Sequence, residues 1–215
     1  MTHSSISKDL TPKASVSQHS ADGSIRTNTP IVLTIAGSDS GGGAGIQADI
    51  KAMSATGSFA CSVITAITSQ NTQGVSAILP IPLDHVASQL DAVFTDLNIV
   101  AVKVGMLADS QIIKVVADKI KQYQPKHLVI DPVMVATSGD SLLDADALEA
   151  MKNILLPVCD LITPNIPEAK ILTGMDITDT DDMTRAGEAL LAMGAYAALM
   201  KGGHLDSKMI FDILV

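Results

Sequence analysis

The sequence predicts an α/β fold: a mostly parallel central sheet covered by helices. Three observations carry that prediction. Apolar residues make up 47% of the 215 positions and aromatic residues only 2%, so Ala, Val, Ile, Leu and Met must build the core. That composition suits parallel sheets, whose strands are buried on both faces and read as continuous aliphatic runs. The run Ile31-Val32-Leu33-Thr34-Ile35-Ala36 stops in the loop Gly37-Ser38-Asp39-Ser40-Gly41-Gly42-Gly43-Ala44-Gly45, where five of nine residues lack a Cβ. Strand, glycine loop and helix in succession are a means of bringing bare backbone N–H groups and a helix N-terminus against a small ligand. Finally, strand-like and helix-like segments alternate to the end of the chain, which implies right-handed crossovers and helices on both sides of the sheet.

The elements follow in order. After the first strand, Ile46, Ile50 and Met53 mark one face of a helix. Residues 61–68 (Cys-Ser-Val-Ile-Thr-Ala-Ile-Thr) read as a second buried strand. Val86, Leu90, Val93, Phe94 and Leu97 recur at steps of four and three, the spacing of a helix face. Residues 101–104 give a third strand, and Ile112, Ile113, Val116, Ala117 and Ile120 another amphipathic helix. A fourth strand covers 127–130. Leu143 and Leu148 then flank an expected Asp144 N-cap as a hydrophobic staple, opening a helix that runs through Met151. Residues 161–163 form a fifth strand, and 169–173 a short helix closed by Gly174. Met183, Ala186, Leu190 and Leu191 line the last helix, and 197–200 make a sixth strand. No internal repeat is present.

Residues 1–29 differ from the remainder. They are rich in Ser and Thr, carry Lys8, Lys13, Arg26, Asp9 and Asp22, and lack both apolar periodicity and the apolar centre of a secretory signal. A disordered tail is expected there, followed by one domain over 30–215. The net charge of −9 argues against nucleic acid or an anionic membrane as partner. Cys61 and Cys159 lack metal-ligand spacing and suit free thiols in a reducing compartment, hence a cytoplasmic location. No apolar stretch is long enough to span a bilayer.

Chemistry collects at the strand ends. In open parallel sheets, ligands lie beyond the carboxyl ends of the strands. Here those ends carry Gly37-Ser38-Asp39, Ser69-Gln70-Asn71-Thr72, Gly105-Met106, Asp131-Pro132-Val133-Met134, Thr163-Pro164-Asn165 and Lys201-Gly202-Gly203-His204. Six polar or glycine-bearing ends on one edge describe a lined cleft. Individual residues keep plainer readings. Asn165 and Glu168 also fit a capping box with Pro167 in the first helical turn. Asp131 before Pro132 also fits an ordinary turn, and His204 a surface loop. Lys201, a cation beside two glycines after a buried strand, suits phosphate contact. Two common nucleotide motifs fail: there is no Gly-Lys-Ser/Thr, and the 41–45 glycines miss the dinucleotide pattern.

Together these motifs resemble a known family. The string Thr34-Ile-Ala-Gly-Ser-Asp-Ser-Gly-Gly-Gly-Ala-Gly-Ile-Gln-Ala-Asp49-Ile-Lys51 looks like the opening of the hydroxymethylpyrimidine/phosphomethylpyrimidine kinases of thiamin biosynthesis. The likeness continues through Cys61-Ser-Val-Ile-Thr-Ala, Gln70-Asn-Thr, Val104-Gly-Met106, Asp131-Pro-Val-Met134, Leu161-Ile-Thr-Pro-Asn-Ile-Pro-Glu168-Ala and Met200-Lys-Gly-Gly-His204. The resemblance implies a three-layer ribokinase-like fold and an ATP-dependent kinase. Such an enzyme phosphorylates 4-amino-5-hydroxymethyl-2-methylpyrimidine, then its monophosphate to the diphosphate. It further implies that Gln70 hydrogen-bonds the pyrimidine edge while Gly37, Ala44, Asp49, Met106 and Val133 shape the rest of that pocket. Asp131, Asn165 and Glu168 would position magnesium (Mg2+, on Asp131 and Glu168) and the ATP phosphates, and Lys201 would contact phosphate. The full-length protein is expected to be a homo-oligomer whose partners are the pyrimidine and ATP. A pyridoxal or pyridoxine kinase of the same superfamily is the nearest alternative, and a noncatalytic pyrimidine-binding protein comes from another class.

One departure qualifies the resemblance. Family members continue to a Gly-Thr-Gly-Cys motif, where backbone amides form an anion hole and the cysteine takes the place of the base. This sequence ends at Phe211-Asp-Ile-Leu-Val215 without that motif, and neither Cys61 nor Cys159 lies in a glycine-rich turn. The sequence reading therefore expects a C-terminally incomplete fold, weak or absent turnover by these 215 residues, and exposed apolar surface.

Overall fold

A computed structural model describes residues 29–107, 109–134, 145–205 and 209–215. Its elements are β1 (Ile31–Asp39), α1 (Gly45–Ala55), β2 (Phe59–Asn71), β3 (Gly74–Pro80), α2 (Leu83–Asp96) and β4 (Ile99–Val104). There follow α3 (Ser110–Tyr123), β5 (Leu128–Ile130), α4 (Ala145–Ala150), β6 (Leu161–Ile162), α5 (Ile166–Thr173), α6 (Thr180–Ala192), β7 (Ala197–Met200) and β8 (Ile213–Leu214). The eight strands form a sheet in the order β3-β2-β1-β4-β5-β6-β7-β8. The six central strands run parallel, and β3 and β8 pair antiparallel at the two edges.

The expected strands and helices form. All five apolar positions assigned to α3 are buried, and Asp109 caps that helix by accepting the N–H groups of Gln111 and Ile112. Gly174 closes α5 in the left-handed conformation, at φ 71°. Sequence reading gave no element to 74–80, yet β3 pairs there with the far half of β2. Its residues are half-buried or exposed throughout, so no burial alternation marks the strand. The expected tail, apart from residue 29, and the Leu143–Asp144 staple lie outside the described residues.

Sheet register separates two environments. Val63, Ile35, Val104, Ile130, Ile162 and Ala198 lie in one row across five interfaces, and all are fully buried. The adjacent row, facing the other way, is Ser62, Thr34, Lys103, Val129, Leu161 and Ala197. It is mostly half-buried. Crossover handedness explains the difference. The β1–α1–β2 crossover runs toward one edge of the sheet and every later helical crossover toward the other, so right-handed connections set α1 on one face and α2 to α6 on the opposite face. Helices therefore flank both faces of the sheet as expected, though unequally among the described residues. On its own face α1 packs over β1 and β2, leaving Val129, Leu161, Ala197 and Leu199 half-exposed.

Candidate functional site

The strand order reverses at β1, whose neighbours β2 and β4 are reached by connections running in opposite directions. At such a switch point the crossovers diverge and leave a crevice beyond the carboxyl ends of the strands. A cavity of about 260 Å³ lies there, small for the roughly 300–1,000 Å³ usual for ligand pockets and so suited to a small ligand.

Local irregularities shape it. Between Ala36 and Ser38 the pairing with β2 advances by three residues against two, a bulge that re-aims the end of β2. Thr65, fully buried beside it, donates its hydroxyl to the Met106 carbonyl at 3.1 Å and fixes the end of β4. A Cβ on Gly37 would come within 2.7 Å of the Met106 methyl, so glycine there makes room for that side chain.

The glycine loop differs from expectation. The amides of Gly41, Gly43 and Ala44 are not bare. They donate to the Asp39 carboxylate at 2.7, 2.9 and 2.8 Å, and Asp39 is buried. The concavity that such a loop offers an anion is filled by the protein's own acid. Gln47 locks the arrangement, accepting from the Asp39 N–H and donating to the Ser38 hydroxyl. The signal was in the sequence, because an aspartate opening a glycine-rich turn favours bonds to the backbone a few residues on.

All six residues assigned by resemblance to the pyrimidine pocket line this cavity: Gly37, Ala44, Asp49, Gln70, Met106 and Val133. Asp131 lines it as well. The other assigned residues adjoin it through Asp131. Lys201 donates to Asp131 Oδ1 at 2.8 Å, and Asn165 bridges Lys201 through the backbone. Asn165 and Glu168 form the capping box considered above, each side chain accepting the other's N–H. Burial pushes the Glu168 carboxyl above the ordinary glutamate range, opposed by the Asn165 N–H and by Lys201. Both side chains cap α5, and neither lines the cavity itself. No group of three or more His, Cys, Asp or Glu converges among the described residues. Asp131 lies near enough to Glu168 for its charge to push the Glu168 carboxyl further up, and a pair of carboxylates is a donor set with which Mg2+ is commonly held alongside substrate phosphates.

Two features lay outside the sequence-derived site. Lys103 lines the cavity, donates to Asp49 Oδ2 at 3.0 Å and stands 3.9 Å from Asp131 Oδ2. Thr34 donates to the same Asp49 oxygen at 2.6 Å. A lysine interrupting the aliphatic run of β4 was the available signal. The second feature is the flap β3, whose Val75 and Ile78 close one wall. His204 is exposed. Burial raises the Cys61 thiol to about 11 and, with help from Asp160, the Cys159 thiol to about 12, so neither serves as a ready nucleophile.

Comparison with known proteins fits this geometry. The pattern of the family described as phosphomethylpyrimidine kinase matches residues 39–215. The hydroxymethylpyrimidine/phosphomethylpyrimidine kinase of Rhizobium meliloti (strain 1021) is 50% identical over 186 residues, covering 86% of this chain and 70% of that protein. The crystal structure of a phosphomethylpyrimidine kinase from Clostridium difficile 630 superposes with a TM-score of 0.82 at 50% identity, over 87% of this chain and 80% of that one. An ADP complex of Bacillus subtilis pyridoxal kinase gives 0.80 at 37% identity, over 87% and 72%.

Proposed function

The chain belongs to the phosphomethylpyrimidine kinase family, and from that premise we propose that it binds 4-amino-5-hydroxymethyl-2-methylpyrimidine for phosphorylation by ATP, then the monophosphate for conversion to the diphosphate, in the cytoplasm. The observation that carries the proposal is the meeting of Gly37, Ala44, Asp49, Gln70, Met106 and Val133 around one small cavity at the switch point of the sheet. Gln70 offers an amide donor and acceptor to the edge of an aminopyrimidine, and Met106 and Val133 offer apolar walls.

Asp131 on the pocket wall and Glu168 near it would position Mg2+ and the ATP phosphates, and Lys201 would contact phosphate as a point charge. The ion would neutralise charge on the transferring phosphoryl group. The chain's own residues align the two substrates, and alignment with charge neutralisation is the main source of rate in phosphoryl transfer.

Binding tests the proposal with residues this chain contains. Isothermal titration with the pyrimidine alcohol is expected to give one site, and Gln70→Ala to weaken it about five- to twenty-fold, the loss of one or two neutral hydrogen bonds. No binding by the unaltered chain, or full affinity in the variant, contradicts the reading. The likeness to pyridoxal kinase supplies a second alcohol for the same titration, and a preference for pyridoxal would exchange one substrate for the other.

A further inference from the structure

Resting on that reading, the geometry points to Lys103 as the group that receives the phosphate of the monophosphate, and so as a determinant of the second phosphorylation. The second substrate differs from the first by an anionic phosphate, and the cavity must meet that charge. Its glycine-loop amides at Gly41, Gly43 and Ala44 are committed to Asp39. The other ionisable groups on its wall are the carboxylates Asp39, Asp49 and Asp131. Among the described lining residues Lys103 is the one cation.

Its surroundings suit a change of partner. An ammonium has three donors, and Lys103 makes one short bond, to Asp49. The 3.9 Å approach to Asp131 is an ion pair rather than a hydrogen bond. Neither carboxylate depends on Lys103 alone. Asp49 keeps the Thr34 hydroxyl, and Asp131 keeps Lys201 and the Thr163 hydroxyl. Asp49 and Asp131 are offset by Lys103 and Lys201, and the remaining wall carboxylate, Asp39, is engaged by three backbone N–H groups at the glycine-loop end. Gly105 makes the path available: a Cβ there would lie 2.8 Å from the Lys103 ammonium. A purely structural account is that Lys103 only ties α1 to β4 through Asp49. That role would support both substrates alike.

Titration of the pyrimidine alcohol and of its monophosphate against the unaltered chain, Lys103→Met and Lys103→Arg separates the two accounts. In Lys103→Met the monophosphate is expected to lose about ten-fold or more affinity beyond any loss shown by the alcohol, the size of one charge-assisted hydrogen bond. Lys103→Arg is expected to recover most of that difference. Equal loss of both ligands in Lys103→Met, or no selective loss, overturns the inference while leaving the proposed function standing. An unaltered chain that binds neither ligand overturns the proposed function and this inference together. Should Lys103→Met fail to fold, the unaltered chain decides by NMR of 13C-labelled lysine. A Lys103 side-chain signal that moves with the monophosphate and not with the alcohol supports the assignment; movement with both, or with neither, overturns it.

Discussion

Residue by residue, the cleft depends on side chains that satisfy backbone and on glycines that yield space. Gly45 shows the second requirement most sharply. It opens α1 at φ +55°, and a Cβ there would stand 2.3 Å from the Gly37 carbonyl oxygen. Both the left-handed backbone and the contact with rigid main chain oppose any larger residue. Gly45→Ala is expected to destabilise the chain by about 2–3 kcal/mol. The measurement is a lowered urea midpoint with an unchanged slope. Much of this scale was legible in advance. The pocket residues from Gly37 to Val133 were named from sequence, because each stands in a string specific enough to be read. Lys103 escaped because its meaning lies in register: only pairing opposite Thr34, beneath Asp49 of α1, gives that charge a place.

At the scale of elements, the aliphatic periodicities were the most readable part, and short-range capping chemistry set the boundaries. The Asp109 carboxylate accepts two N–H groups in the first turn of α3, where such an acceptor also complements the helix dipole. Its replacement by alanine is expected to cost about 1 kcal/mol. In thermal denaturation this corresponds to a fall of about 2–4 °C for a chain of this size. The flap β3 was not legible. A strand with no buried face, closed by Pro80, carries no alternating pattern, and its existence follows from the unpaired edge that β2 offers. The bulge opposite Gly37 was equally hidden, since a one-residue slip between parallel strands leaves no local mark in composition.

For the molecule as a whole, the mostly parallel sheet could be anticipated from the alternation of strands and helices, while its strand order and the unequal cover of its two faces could not. Handedness assigns that difference only once strand order is known. Half-exposed Val129, Leu161 and Leu199 on the α1 side adjoin an edge where Tyr196, Ile210 and Leu214 are 83%, 73% and 69% exposed. An apolar surface beside β8, which among the described residues pairs only with β7, favours association between copies. Light scattering of the purified chain is expected to rise with concentration, and Leu214→Lys to move that rise to higher concentration; identical curves would show that the edge is not responsible. The filled glycine loop also matters to anyone designing an inhibitor. Because Asp39 already occupies the hollow that an acidic group would seek, a compound carrying a carboxylate toward that end should be repelled. Chemists would do better to place a neutral hydrogen-bonding head there and reserve negative charge for the opposite wall.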